Sequence, residues 1–268
     1  MSQAIVLQHV AHEGPGRIVP VLRDFGIPVQ IRRLYAGDEV PTDLDEIRLL
    51  IVLGGPQHLP DDIQTTPYLE QELALLKRMV EQDRPVLGIC LGAQLLAMAA
   101  GAKVYPNTKP GPTPDQPGEP LPELGWKPVK FPFPGGTDPI VAGLHDGAMM
   151  FHWHFDTFDL PKLPAPANQP PGPPPPTGNV LLSSTDTCKN QAFRFKNRLV
   201  GFQYHFEFTP EQIEAVVASA GENELKHLGP DGPEMIREQT IRYYPQHARL
   251  GDRILRNFVQ FLKVYQER

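Results

Sequence analysis

Two short runs of apolar residues constrain this chain more than any other feature: "LLIVL" at residues 49–53 and "VLGIC" at residues 86–90. Each is too short for a helix, carries β-branched residues and lacks the alternation of a strand with one wet face. Each therefore reads as a strand buried on both sides. Between them, "YLEQELALLKRMVEQ" spaces its apolar residues at helical intervals. After the second, "AQLLAMAA" (93–100) is strongly helix-forming, with Gly101 as its C-terminal cap. The same order holds upstream, where the strand-like "AIVLQHV" (4–10), a Gly-Pro-Gly loop and the helical "RIVPVLRDFGI" lead into the alternating "PVQIRRL". Alternating strands and helices predict an α/β domain, a mainly parallel open sheet with helices on both faces. Ligands bind such sheets at the carboxyl ends of the strands, where "LGGP" and "GICLG" fall.

The second half changes character. Many of the 32 prolines fall in two insertions, at about residues 106–122 and 161–178, which read as surface excursions because proline suits neither a central strand nor a helix interior. Around them "GWKPVKF", "AMMFHWHFDTFDL", "VLLSSTD", "QAFRFKN" and "LVGFQYHFEF" are strand-like. "TPEQIEAVVASAG" follows as a helix capped by Thr209, then a polar stretch rich in turn residues, then the helix "QHARLGDRILRNFVQFLKVYQ" with an apolar face expected to pack on the sheet. The expectation is one domain over residues 1–268, with a core at about 4–210 and a helical tail at 211–268.

Charge bounds the partners. The net charge is −6 and the basic residues are scattered, which gives no reason to expect nucleic acid. No stretch is long and apolar enough for a membrane span, and the N-terminal residues lack a secretory pattern, so the expected location is cytoplasmic. Cys90 and Cys188 are then expected as free thiols.

Three stretches carry chemistry. In "GICLG", Gly88 and Gly92 relieve the crowding of a sharp strand-to-helix turn, the logic of a nucleophile elbow, and would set Cys90 at a helix N-terminus that favours its thiolate. Alone, the pentapeptide suits a packed cysteine equally well. In "GFQYHFEF", His205 and Glu207 two residues apart would share one face of a strand, a base with the carboxylate that orients it. In "VLGGP", the glycines let the backbone approach a ligand and aim N–H groups at an oxyanion, although Gly-Gly-Pro is also simply a tight turn. His152, His154 and Asp156 in "FHWHFDTF" match no familiar zinc spacing, so no metal and no cofactor is expected.

In order and wording, "LLIVLGGP", "PVLGICLGAQLLA", "FHWHFDTFDLP", "CKNQAFRF" and "GFQYHFEFTPE" resemble the class-I glutamine amidotransferases of the triad type, and among them stand-alone proteins similar to the amidotransferase domain of GMP synthase. The resemblance runs from about residue 6 to 210 and implies a flavodoxin-like layering. It also implies roles: Cys90 as nucleophile, His205 and Glu207 completing the triad, and backbone N–H groups of Gly55 and Leu91 as oxyanion hole. Gly54, Gln94, His154 and Asp156 would be substrate contacts, and residues 191–193 would lie on a strand beside the pocket. Cys188 reads as structural.

The substrate would be glutamine or another γ-glutamyl compound. The chain carries no G-x-x-x-x-G-K-[ST], and "GPGRIV" lacks the third glycine of a dinucleotide loop, so any ammonia-accepting synthetase is expected on a separate polypeptide. Three readings stand at this point: a glutaminase of amidotransferase type, a γ-glutamyl peptide or amide hydrolase using the same triad, and a silent module that docks a partner through its proline-rich loops.

Overall fold

The computed structural model describes residues 3–111, 113, 116, 118–163 and 179–261. Its first half runs β1 (Gln3–Gln8), α1 (Ile18–Asp24), β2 (Val29–Arg33), β3 (Ile47–Val52), α2 (Pro67–Glu81), β4 (Val86–Ile89) and α3 (Leu91–Ala99). Then follow β5 (Val104–Pro106), β6 (Glu123–Val129), β7 (Ala148–His154), β8 (Asp156–Phe158), β9 (Asn179–Ser183), β10 (Ala192–Phe195) and β11 (Leu199–Phe202). Three helices end the chain: α4 (Pro210–Ala218), α5 (Glu222–Leu228) and α6 (Gly232–Phe261). The main sheet has the order β2-β1-β3-β4-β11-β10-β9. β2, β1, β3, β4 and β11 pair in parallel, and β10 and β9 add an antiparallel edge.

Strand periodicity divides the core. Successive side chains point to opposite faces. Ala4, Val6, Leu49, Ile51, Leu87 and Ile89 join one cluster with Ile18, Val21 and Leu22 of α1 and Leu250, Ile254 and Phe258 of α6. Ile5, Leu7, Leu50, Val52 and Val86 join the other with Leu75, Leu76 and Met79 of α2 and Leu95 and Leu96 of α3. Helices thus cover both faces of a mostly parallel sheet, as the alternation predicts.

Three local expectations need correcting. The segment "LVGFQYHFEF" is not one strand, because β11 stops at Phe202 and the chain continues through bends. The polar stretch before the last helix is itself helical: α5 occupies part of it, and α6 begins at Gly232 and passes through Pro245. Proline there removes a hydrogen bond to the carbonyl four residues earlier, but that carbonyl belongs to Ile241, 82% exposed, where water can serve it. The tail is also part of the core, since α6 covers one sheet face.

The first proline-rich insertion folds back on itself, with Leu121 N–H donating to the Asn107 carbonyl and Lys109 N–H to the Glu119 carbonyl, both at 2.9 Å. Residues 164–178 of the second insertion lie outside the described residues. No helix of the described residues is long and apolar enough to cross a membrane.

Candidate active site

The carboxyl ends of β1, β3, β4 and β11 open on a cavity of about 220 Å³ lined in part by Glu13, Gly55, Cys90, Leu91, Gln94 and Asp156. Cys90 sits between β4 and α3 with φ 52° and ψ −111°, a conformation that L-residues rarely adopt and that elsewhere marks functional strain. Glycine is required on both sides of it. A Cβ on Gly88 would stand 2.4 Å from the Gly92 carbonyl oxygen, and one on Gly92 only 2.0 Å from that of Val52. Cys90 N–H donates to Phe202 O at 2.8 Å, tying the turn to β11, and its Sγ lies 3.7 Å from the Trp153 carbonyl oxygen.

His205 lies beyond the end of β11, held by its N–H to the Phe151 carbonyl at 2.8 Å and by the ring of Phe208, stacked on the imidazole at 4.0 Å between centroids. Its Nδ1 is 2.9 Å from Glu207 Oε1, and the Cys90 sulfur is near enough to favour its charged form. All three are buried. Cysteine, imidazole and carboxylate therefore form a connected series, with a bend and a bridge to β7 positioning the last two in place of strand periodicity. Burial opposes charge on His205, yet the Glu207 carboxylate and the Cys90 sulfur hold its pKa well above the usual imidazole value. Burial, with a smaller push from Glu13, holds the Cys90 thiol above its usual value, against the pull of His205 and of the Leu91 N–H toward the thiolate.

Gly54 and Gly55 fill the turn after β3. A Cβ on Gly54 would stand 2.7 Å from His205 Cε1, and one on Gly55 2.7 Å from His9 Cβ, so neither position admits a larger residue without movement in the site. His9, overlooked in the sequence, buttresses this turn: its Nδ1 is 3.0 Å from Gly54 O and its Nε2 2.9 Å from Glu72 Oε2, all buried. The carboxylate of Glu72 raises the pKa of His9 against the cost of burial. Gln94 lies on α3 one turn past Cys90, its Nε2 donating to Gln203 Oε1 at 3.2 Å.

Asp156 lines the cavity and accepts from His58 Nδ1 at 2.8 Å. His154 also lines it, but both ring nitrogens are engaged, Nδ1 with the Asp156 carbonyl at 3.0 Å and Nε2 with Glu123 Oε2 at 3.1 Å. Glu123 is the hub of a buried network. On paired strands it faces His154, while His152, two residues earlier on the same face, brings Nδ1 to 3.2 Å. Thr185, Thr187 and Gln191 donate to the same carboxylate. Although burial works against the anion, His152 and His154 hold the Glu123 carboxyl far below its usual range. Among the described residues these three form a group with metal-type donor atoms within 4.8 Å, but the carboxylate is already committed to neighbouring donors, which fits a structural knot. Gln191, Ala192 and Phe193 lie at and within the start of β10, with Gln191 turned into that knot.

Cys188 is also a free, buried thiol, 3.2 Å from Thr157 Oγ1, and burial pushes it up to about 11. A thiol so protonated is a poor nucleophile, which suits a structural cysteine.

Glutamine amidotransferase class-I is the family model that matches, over residues 16–220. The glutamine amidotransferase-like protein YfeJ of Salmonella typhimurium is 30% identical over 211 residues, 78% of this chain and 77% of that protein. One component of the glutamine-hydrolysing GMP synthase of Thermoplasma volcanium is 27% identical over 200 residues, 72% of this chain and 77% of its own. Among solved structures, a glutamine amidotransferase from Methylobacillus flagellatus superposes with a TM-score of 0.75 at 26% identity, covering 97% of this chain and 95% of that one. With three-quarters of its length matched by the family model, and its fold shared with solved members, the chain belongs to the class-I glutamine amidotransferase family.

Proposed function

We propose that this protein hydrolyses the side-chain amide of glutamine to glutamate and ammonia, and that it passes the ammonia to a synthetase on a separate polypeptide. The observation that carries this reading is the placement of Cys90, at positive φ on the strand-to-helix turn, beside a hydrogen-bonded His205–Glu207 pair and on the wall of the cavity. The cavity volume, about 220 Å³, is below the roughly 300–1,000 Å³ of drug-sized ligand sites and suits an amino acid.

The chemistry follows from these positions. The Cys90 thiolate attacks the side-chain carbonyl carbon of glutamine, forming a C–S bond while the carbonyl oxygen takes the electron pair. N–H groups of Gly55 and Leu91 receive that oxyanion, a contribution of about 10²–10³ in rate for each such donor. His205 then gives its proton to the amide nitrogen as the C–N bond breaks, ammonia departs, and a glutamyl thioester remains. Water enters, His205 takes one of its protons, and the resulting attack releases glutamate and restores the thiolate. Glu207 keeps the imidazole oriented through Nδ1 throughout. With Nε2 of Gln94 committed to Gln203, its Oε1 is left to accept from the substrate's α-ammonium.

The test is direct. Purified full-length protein incubated with glutamine should release glutamate and ammonia in equal amounts, and absence of turnover, both alone and with cell extract supplying a partner, would overturn the reading. A pH profile tests the proton path. His205 is raised mainly by the Glu207 charge, so Glu207→Gln lowers its pKa and the imidazolium is lost at lower pH. The basic limb of kcat/KM should move acidward by about 1–3 pH units, the usual effect of removing a close opposite charge.

A further inference from the structure

Glu13, in the loop after β1, belongs to no step above and to no ion pair among the described residues. It is only 7% exposed, yet it lines the cavity with Cys90. Its position relative to the triad is fixed by Gly54: from the point where a Cβ on Gly54 would stand, Glu13 Oε2 is 2.3 Å away, His205 Cε1 2.7 Å and Cys90 Cβ 3.5 Å. Carboxylate, imidazole and nucleophile thus meet at one corner. Burial pushes the Glu13 carboxyl up, His205, His12 and His9 draw it down, and Glu207 opposes them.

The loop is rigidly placed. Gln8 Nε2 donates to the carbonyls of Val10 at 2.9 Å and Ala11 at 3.2 Å, and Gln212 Nε2 to that of Gly14 at 2.8 Å. Arg17 N–H donates to the carbonyl of Glu207 itself at 2.9 Å, and a Cβ on Gly16 would stand 2.3 Å from that same oxygen. Glu13 is therefore clamped to the residue that orients His205, as a preorganised recognition group would be.

His205 delivers its proton to the departing nitrogen, so that nitrogen and whatever it carries must come to this corner. We propose that Glu13 selects the leaving group: its carboxylate accepts from the N–H groups of an unsubstituted amide and turns away leaving groups that bear a carboxylate of their own. The rest of the cavity agrees. Asp156 and Glu224 also line it, and among the described residues its basic lining is histidine alone, with His58 already held by Asp156 and His154 by Glu123, so an anionic leaving group finds no lysine or arginine to receive it. This inference rests on the amidase reading and narrows it, placing γ-glutamyl amino acids among the poor substrates.

The experiment compares wild type with Glu13→Gln on glutamine, γ-glutamylethylamide and γ-glutamylglycine. Glycine is bulkier than ethylamine as well as charged, so charge is isolated from bulk by the change in their kcat/KM ratio between wild type and the isosteric Glu13→Gln variant. Wild type should prefer the ethylamide, and Glu13→Gln should raise the glycine-to-ethylamide ratio at least about tenfold. A merely structural Glu13 would lower all three together and leave the ratio unchanged, which overturns the proposal. Alkylation of Cys90 gives a second readout that needs no turnover: a C–S bond forms as iodide leaves, with neutral iodoacetamide or anionic iodoacetate as reagent, followed by mass spectrometry of the Cys90 peptide. Wild type should favour iodoacetamide, and Glu13→Gln should narrow that preference by a similar factor. If wild type hydrolyses none of the three compounds, alone or with cell extract supplying a partner, the amidase reading falls, and the alkylation ratio still decides whether Glu13 screens charge. Equal ratios in the two proteins would refute that.

Discussion

Cys90→Ala should release no ammonia from glutamine above the background of the assay, a loss of at least about 10⁴ in kcat/KM, because members of a nucleophile–base unit fail together when the nucleophile is removed. Measured with His205 and Glu207 intact, residual turnover within tenfold of wild type would refute the role given to Cys90. The same position makes a separate prediction about stability. Its backbone, at φ 52° and ψ −111°, is unfavourable for any residue with a Cβ, with an ordinary cost of about 1–3 kcal/mol. Cys90→Gly should therefore be as inactive as Cys90→Ala, yet melt at a higher temperature than it. The pair separates chemistry from conformation. If alanine and glycine variants melt together, the turn carries no strain worth the name, and the preorganisation of the sulfur at the start of α3 needs another source.

Placement of the nucleophile was legible because everything it needs is local. Gly88, Cys90 and Gly92 declare a sharp turn within five residues, and the apolar runs on either side announce the strand and the helix that flank it. His205 and Glu207 were legible as chemistry but not as geometry. Their spacing suggested one face of a strand, whereas β11 ends at Phe202 and the bend is held from outside by Phe151 on β7, more than fifty residues upstream. Period-two patterns cannot show where pairing stops, since that depends on the neighbour and not on the segment.

Groups that support the site were harder to read for the same reason. His9 and Glu72 are 63 positions apart and meet only because β1 and α2 do; Glu123 and His154 meet through the pairing of β6 with β7. Glu13 precedes Gly14, Pro15 and Gly16 and belongs to no motif of its own, although the strand-end rule that singles out "LGGP" applies equally to the end of β1. The first half of α6 is obscured by Pro245, which falls where the residue it deprives of a hydrogen bond, Ile241, is itself exposed. Local rules named the chemistry; the partners came from topology.

Gly92→Ala should be among the most damaging single-methyl substitutions of the described residues. An ideal Cβ at Gly92 would stand 2.0 Å from the Val52 carbonyl oxygen, 2.6 Å from its carbon and 2.8 Å from Val52 Cβ. The obstacle is chiefly backbone, at the end of a central strand paired on both sides, so no side chain can rotate away. Relief requires α3 to lift from β3, opening the core between Val52, Leu95 and Leu96. The expected loss exceeds about 4 kcal/mol, the range reserved for such clashes, against a total stability of roughly 5–15 kcal/mol for a folded domain. Gly101→Ala is the control. It sits at φ 85° with nothing within 4 Å of its Cβ, so its cost is confined to the backbone, about 1–2 kcal/mol. Urea unfolding of the two variants should separate them clearly, with Gly92→Ala unfolding at much lower denaturant or accumulating as aggregate. If they unfold alike, α3 is free to move away from β3. That freedom would also shift Leu91, the first residue of α3, whose N–H favours the Cys90 thiolate, so turnover of any folded Gly92→Ala protein should fall below that of wild type.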